Sequence, residues 1–535
     1  MNSKFSLIFM PLLLILSMLS TPLFATNDMS IIAEFQGEHH YSGYGNTLES
    51  LDFNGDGYTD LAVFSQSYGY TEGVGGRCGK VYIYYGGPNF CSATNPSLTL
   101  TGATDRAILN MYNVGDINGD GYDDLCVYDY APLPSREDIR IRFYFGGRDD
   151  LDYPDHVIFL PWNSYVLRVS KIGDFDGDGF GDVGLHYVLR QPPAVQKYSI
   201  MWGGSLEEEI ILEYTENNAI SSICGIGDIN GDGYKDFSLG FTNPDPITGY
   251  HKIRIYHGNP DRDFSDYDVL IQTQEPITKD CRPIGDVNGD GFDDFMGYYS
   301  NDGMHAWLGG TNIAYDTPSF NFLPGWSGDV ASRCLKFGDL NGDGFDDVVG
   351  TNYNQGRFSV WMGSEQMNGT SDLIKISGYD NFGYGIAVGD FNADGFCDIA
   401  IGAHKPSPYS NDRDFRGYVF IYGGNEHLQD TTVSNDDLVA PQVKDQLHIS
   451  ISPNPVRTSD GVALLTATSK KPLAVIEGTL SIFNIKGQLV YRENIPVNHS
   501  KVEHNINLQQ FATGIYLCQM SLGDKQATKK LIIIK

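Results

Sequence analysis

Seven stretches of nine residues put hard oxygen donors at alternating positions of a tight turn. They begin at Asp52, Asp116, Asp174, Asp228, Asp286, Asp339 and Asp390, 51–64 residues apart. Each has Asp at position 1, Asn or Asp at position 3, Asp at position 5 and Asp at position 9. Side-chain oxygens at this spacing, with a backbone carbonyl at position 7 and Gly at position 6 for the sharp bend, are the donor set of a calcium loop. The predicted ligands are Asp52, Asn54, Asp56, Tyr58 and Asp60 in the first copy, and Asp116, Asn118, Asp120, Tyr122 and Asp124 in the second. The third supplies Asp174, Asp176, Asp178, Phe180 and Asp182, and the fourth Asp228, Asn230, Asp232, Tyr234 and Asp236. The last three supply Asp286, Asn288, Asp290, Phe292 and Asp294; Asp339, Asn341, Asp343, Phe345 and Asp347; and Asp390, Asn392, Asp394, Phe396 and Asp398. The Tyr and Phe residues contribute their backbone oxygens. Up to seven Ca²⁺ follow. Plain Asp/Asn/Gly hairpin turns would account for one such copy, not for seven with four oxygen positions each.

An EF-hand needs a bidentate Glu at position 12. Here position 12 is Val63, Val127, Leu185, Leu239, Gly297, Gly350 or Ile401, so a strand leaves the loop and no helix does. Position 4 is Gly in six copies and Ala393 in the seventh. If that position needs positive φ, the seventh site carries strain on the order of 1 kcal/mol.

The elements that must hold these loops recur with them. A short strand enters each loop and an apolar run such as Leu61–Phe64 leaves it. A polar loop follows, then a strand ending in glycine, as at Val81–Gly87 and Ser199–Gly204, and a fourth strand, as at Leu98–Thr101. Alternation, β-branched and aromatic enrichment and Gly/Asn/Asp punctuation all indicate strands. Four strands per unit and seven units predict an all-β chain, a seven-bladed β-propeller over residues 28–428. The seventh unit lacks a fourth strand after Gly424, and Ile31–Phe35 has no sheet of its own, so residues 31–35 are expected to close the ring.

The seventh copy, Phe382-Gly383 through Asp390 to Ile401-Gly402-Ala403, resembles the FG-GAP (VCBS-type) repeat of integrin-α-like propellers. Tyr44-Gly45 stands at the same offset in the first unit. Units two to six keep the acidic loop without the Phe-Gly pair. The resemblance implies Ca²⁺ held between the two inner strands of each blade, on the face opposite the usual ligand face.

Residues 1–25 read as a secretory signal, with Lys4, an apolar run from Phe5 to Leu19 and a small-residue exit at Ala25. No later segment is apolar for long enough to span a membrane. Residues 429–445 form a polar linker. Residues 446–535 then give about seven short strands and a small Ig-like β-sandwich. Ser452-Pro453-Asn454-Pro455, Gly514-Ile515-Tyr516 and the basic, aliphatic C-terminus resemble the type A sorting domain of the type IX secretion system. That resemblance implies contact with the secretion machinery and a secreted or surface-attached product; an ordinary Ig-like binding module is the alternative.

The formal net charge is −32, but 25 of the 68 acidic residues lie within the seven loops. Acidity therefore serves metal binding and solubility, and it argues against nucleic acid, whose affinity comes largely from Lys and Arg on phosphates. Of eight cysteines, Cys78 and Cys91 are the one candidate disulfide, while Cys224, Cys281 and Cys334 read as core thiols.

Chemistry beyond calcium is sparse. A coordinatively filled Ca²⁺ is a poor Lewis acid, and no G-x-S-x-G, H-E-x-x-H or nucleotide-binding loop occurs. His39-His40 reads as a solvated loop pair. Trp202, Trp307 and Trp361 belong to the core. Trp162 and Trp326, on loops reaching the face opposite the metal, stack on a sugar or partner in one reading and pack on the next blade in the other. Tyr68, Tyr70 and Arg77, with Tyr409, Arg413 and Arg416, lie on the longest loops, in units one and seven, and complete the candidate ligand face. The function expected is recognition of an extracellular glycan or protein; the alternative is a calcium-dependent propeller lyase, on fold analogy alone.

Overall fold

The computed structural model describes residues 29–428 apart from loops, of which 70–77, 131–138, 242–250, 324–334 and 404–415 are the longest, and 447–534 apart from short turns. The signal segment 1–25 and the linker 429–445 lie outside the described residues, as do Trp162, Trp326, Tyr70, Arg77, Tyr409, Arg413 and Cys334. The chain divides into two compact units, 1–432 and 433–535.

Among the described residues, the first unit contains seven four-stranded antiparallel sheets. Sheet one shows the plan: β2 (Tyr44–Leu51), β3 (Asp60–Ser65), β4 (Lys80–Tyr84) and β5 (Leu98–Thr101) pair in sequence order. The acidic loop joins the first strand to the second, so it sits at one end of each sheet, and the connection from second to third strand sits at the other. The innermost strands, Tyr44–Leu51, Ala107–Gly115, Ser164–Gly173, Ile220–Gly227, Ile277–Gly285, Leu335–Gly338 and Phe382–Gly389, touch one another in turn, and the last returns to the first. The second strands are buried along most of their length, as at Asp60–Ser65 and Asp398–Ala403. A strand covered on both faces loses its polar alternation, which explains runs such as Leu61–Phe64.

Sheet seven is built from both chain ends. Its first three strands are Phe382–Gly389, Asp398–Ala403 and Tyr418–Tyr422, and the fourth is β1 (Ile31–Gln36), antiparallel to Tyr418–Tyr422 with Phe35 opposite Val419. Phe35 then packs into the layer between sheets one and seven, its ring 4.5 Å from Tyr84 and 5.5 Å from Phe90.

The second unit has a three-stranded and a five-stranded sheet around one apolar core that includes Leu465, Ile482, Cys518 and Leu531.

One expectation fails. Cys78 is a buried free thiol, and Cys91 is a free, exposed thiol on the short 3₁₀ turn Phe90–Ser92. Proximity in sequence brackets a strand without bringing the two sulfurs together. Cys224 and Cys281 are buried free thiols. Trp202, Trp307 and Trp361 are buried, and His39 and His40 are exposed.

Candidate metal centres

Each acidic loop is folded by its own side chains. The position-1 Asp accepts from the N–H of the position-6 Gly at 2.8–3.0 Å in all seven copies. The position-3 side chain accepts from the position-5 N–H at 2.9–3.1 Å, and the position-5 Asp from the position-7 N–H at 2.9–3.0 Å. These successive side-chain turns fix the curl of each loop. The position-6 glycines make the bend at φ between +86° and +95°, a region closed to most side chains.

The position-9 aspartates begin the second strands, and all seven are 0 % exposed. One oxygen of each accepts the N–H of the glycine after the third strand, at 2.7–3.1 Å. In six copies the other accepts the position-2 N–H at 2.8–3.0 Å. Burial pushes these carboxyls up against that hydrogen bonding, to about 8 for Asp124 and about 7 for Asp60, Asp182, Asp294 and Asp398. Neighbouring loop aspartates raise them further. Buried carboxylates crowded by like charge call for a cation.

Three carboxylate oxygens, Asp52 Oδ1, Asp174 Oδ1 and Asp398 Oδ2, are buried and meet no donor. In the third loop, ligand atoms of Asp174, Asp176 and Asp182 lie within 4.8 Å of one another. Orphaned buried acceptors are rare, and a hard divalent cation with oxygen ligands fits this donor set.

The loops are also tied sheet to sheet. In six copies the position-2 carbonyl accepts from the segment after the third strand of the next sheet: Phe53 from Gly147, Ile117 from Gly204, Ile229 from Gly310, Val287 from Ser364, Leu340 from Asn425 and, across the closure, Phe391 from Gly87. A side chain at position 4 would strike the next loop's position-7 ring; a Cβ on Gly55 would come 2.0 Å from Tyr122. Sequence reasoning found the positive φ at this position but missed the ring, because the two residues are in different repeats.

The candidate ligand residues that are described lie at the other end of their sheets. Tyr68 follows β3, its hydroxyl 3.3 Å from Glu38 and its ring centroid 4.8 Å from Lys80 Nζ, so part of its surface is used internally. Arg416 gives its carbonyl to Ser42 Oγ at 2.7 Å, and the Ser42 carbonyl accepts from Ser65 Oγ and Ser67 N–H. Ser42 thus links the loop containing Tyr68 to the one ending at Arg416. Lys80, paired with Glu38 at 2.7 Å, and Glu49, paired with Lys336 of sheet six at 2.8 Å, were not singled out from sequence; their partners are too distant along the chain.

Comparison with known proteins follows this division. An FG-GAP-like repeat model matches residues 52–127 and 339–401, an FG-GAP repeat model matches 382–422, and a secretion system C-terminal sorting domain model matches 450–534. The chain contains FG-GAP repeats and ends in a secretion sorting domain. It resembles integrin alpha-5 of Xenopus laevis, 29 % identical over 168 residues, 29 % of this chain and 16 % of that protein. Integrin alpha-6 of Gallus gallus is 36 % identical over 160 residues, 29 % of this chain and 14 % of the relative. Integrin alpha-8 of Homo sapiens is 29 % identical over 146 residues, 26 % and 14 % respectively. The alignments therefore span about a sixth or less of these relatives. A solved BBS1N chain in complex with ARL6DN superposes on 74 % of this FG-GAP chain and 96 % of its own with TM-score 0.41 and 11 % identity, below the level at which a shared fold follows. The sorting tail marks the FG-GAP-repeat chain as cargo for type IX secretion, secreted or surface-attached. No described helix is long and apolar enough to cross a membrane.

Proposed function

We propose that this FG-GAP chain is an exported recognition disc. Residues 28–428 form seven blades, each loop holds one Ca²⁺ through the side chains at positions 1, 3, 5 and 9, and the opposite face binds an extracellular glycan or protein. The observation that carries the metal assignment is the burial of all seven position-9 aspartates beside further acidic side chains. Calcium supplies charge compensation there, and the protein's own turns do the orienting. Extracellular calcium modules bind at roughly 10⁻⁴–10⁻³ M, so such loops fill outside the cell.

The recognition half of the proposal rests on Tyr68 and Arg416, joined through Ser42 at the end of sheets one and seven away from the acidic loops. Trp162, Trp326, Tyr70, Arg77, Tyr409 and Arg413 belong to connections expected on the same face. Residues 1–25 are proposed as the export signal and 446–535 as the part handled by the secretion machinery. The test is binding of the purified chain to a broad glycan array in calcium and in EDTA. Calcium-dependent binding to a coherent set of sugars, lost in Trp162→Ala or Trp326→Ala, supports a lectin-like face. A blank array from folded, calcium-loaded protein rejects the glycan and leaves a protein ligand, sought by pull-down from the cell surface.

A further inference from the structure

Six of the seven loops carry Asn at position 3, and its Nδ2 donates to the position-5 aspartate at 2.8–3.0 Å. The third loop carries Asp176 instead, a carboxylate where the other loops have an amide donor. Its carboxylate, with a side chain 3 % exposed, stands beside Asp178 in a loop already crowded by Asp174 and Asp182.

The missing donor comes from sheet four. Arg262, on the turn after Asn259, pairs through Nε and Nη2 with Asp176 Oδ2 and reaches Asp178 Oδ2 at 3.4 Å. Where the asparagine amide of the other loops donates to the position-5 carboxylate alone, one guanidinium here pairs with both the position-3 and the position-5 carboxylates. Arg262 adopts φ +52°, unusual for a non-glycine residue, and its N–H meets Asn259 O at 3.3 Å. The guanidinium carbon lies 4.0 Å from the Trp202 ring centroid, and Trp202 Nε1 donates to Glu209 at 2.9 Å. A stacked, forked guanidinium suits two carboxylates better than an ammonium does.

We propose that Arg262 is the resident cation of the third loop. It supplies from the next sheet the donor that asparagine supplies in the other loops, and its charge offsets the extra acid. With that offset the third loop presents a divalent ion with the same balance of three carboxylates at positions 1, 5 and 9 as the asparagine loops do. This rests on the calcium reading of the loops, and Arg262 is a positioning residue in it.

The experiment is thermal melting of the full chain in calcium and in EDTA, for wild type, R262Q, D176N and D176N/R262Q. R262Q leaves two carboxylates uncompensated, so its calcium-to-EDTA gap widens by roughly 2–4 °C; in D176N/R262Q the gap returns to the wild-type value. An unchanged gap in R262Q, or one that stays wide in the double variant, overturns the proposal. If R262Q does not fold, D176N and D176N/R262Q decide. Equal melts in EDTA fit a guanidinium whose work is pairing Asp176, and a lower melt for the double variant shows instead that it serves by packing on Trp202. A wild-type melt indifferent to EDTA contradicts the calcium reading itself, whereas the Arg262 pairing is still judged by whether D176N restores the R262Q melt.

Discussion

Position 4 of the loops holds glycine at φ between +70° and +75° in six copies and Ala393 at +62° in the seventh. An L-residue there costs about 1 kcal/mol. The Ala393 methyl also stands where the other loops receive a neighbour's ring, and Tyr58, the ring due to arrive across the closure, is 40 % exposed while its six counterparts are half-buried. Ala393→Gly is therefore expected to raise the melting temperature by about 2 °C, read by calorimetry in calcium. The substitution was visible in the sequence; its consequence for Tyr58 was not, since it depends on ring closure.

Proton linkage at the same residues has a definite sign. Asp124, Asp60, Asp182, Asp294 and Asp398 bind protons more tightly in the folded chain, with values of about 7–8 against 3.8 for an unperturbed Asp. Without metal, the stability they contribute is complete below about pH 4 and is lost as pH rises through 7–8. Metal binding needs the ionised carboxylates, so stabilisation by calcium has the opposite trend. Melting temperatures at pH 5, 6, 7 and 8 should fall with pH in EDTA, and the gain from calcium should grow.

Among the elements, β1 (Ile31–Gln36) bears most on the assembly because it completes a sheet that begins only at Phe382. Phe35 is its buried anchor, 6 % exposed against Tyr84 and Phe90, and Lys80 with Glu38 holds the segment that follows. Phe35→Ala should cost about 3–5 kcal/mol, measured by urea unfolding. A loss below 1 kcal/mol would mean that the strand does not secure the closure. The all-β character and the four-strand unit were legible because alternation, glycine endings and loop spacing are local signals. The link from Arg262 to Asp176, across 86 residues, and that from Lys336 to Glu49, across 287, were not, because each depends on which sheets become neighbours.

At the scale of the whole molecule, acidity, repeat and tail have one account. Fixed negative charge is gathered at one end of the sheets, where seven aspartates are buried, and the proposed cation would offset the cost of ionising them there. The sorting tail marks the chain for export by type IX secretion. The acidic loops and the tail were readable as motifs, whereas the candidate recognition face lay in variable connections with no repeated signal to identify its ligand.

The central claim is that divalent cations hold the loops, and melting of the purified chain in 1 mM calcium against excess EDTA tests it most directly. Occupied sites stabilise by mass action, so the account predicts a melting temperature at least about 5 °C higher in calcium, restored when calcium is returned in excess of EDTA. Superimposable melts in the two conditions would contradict it.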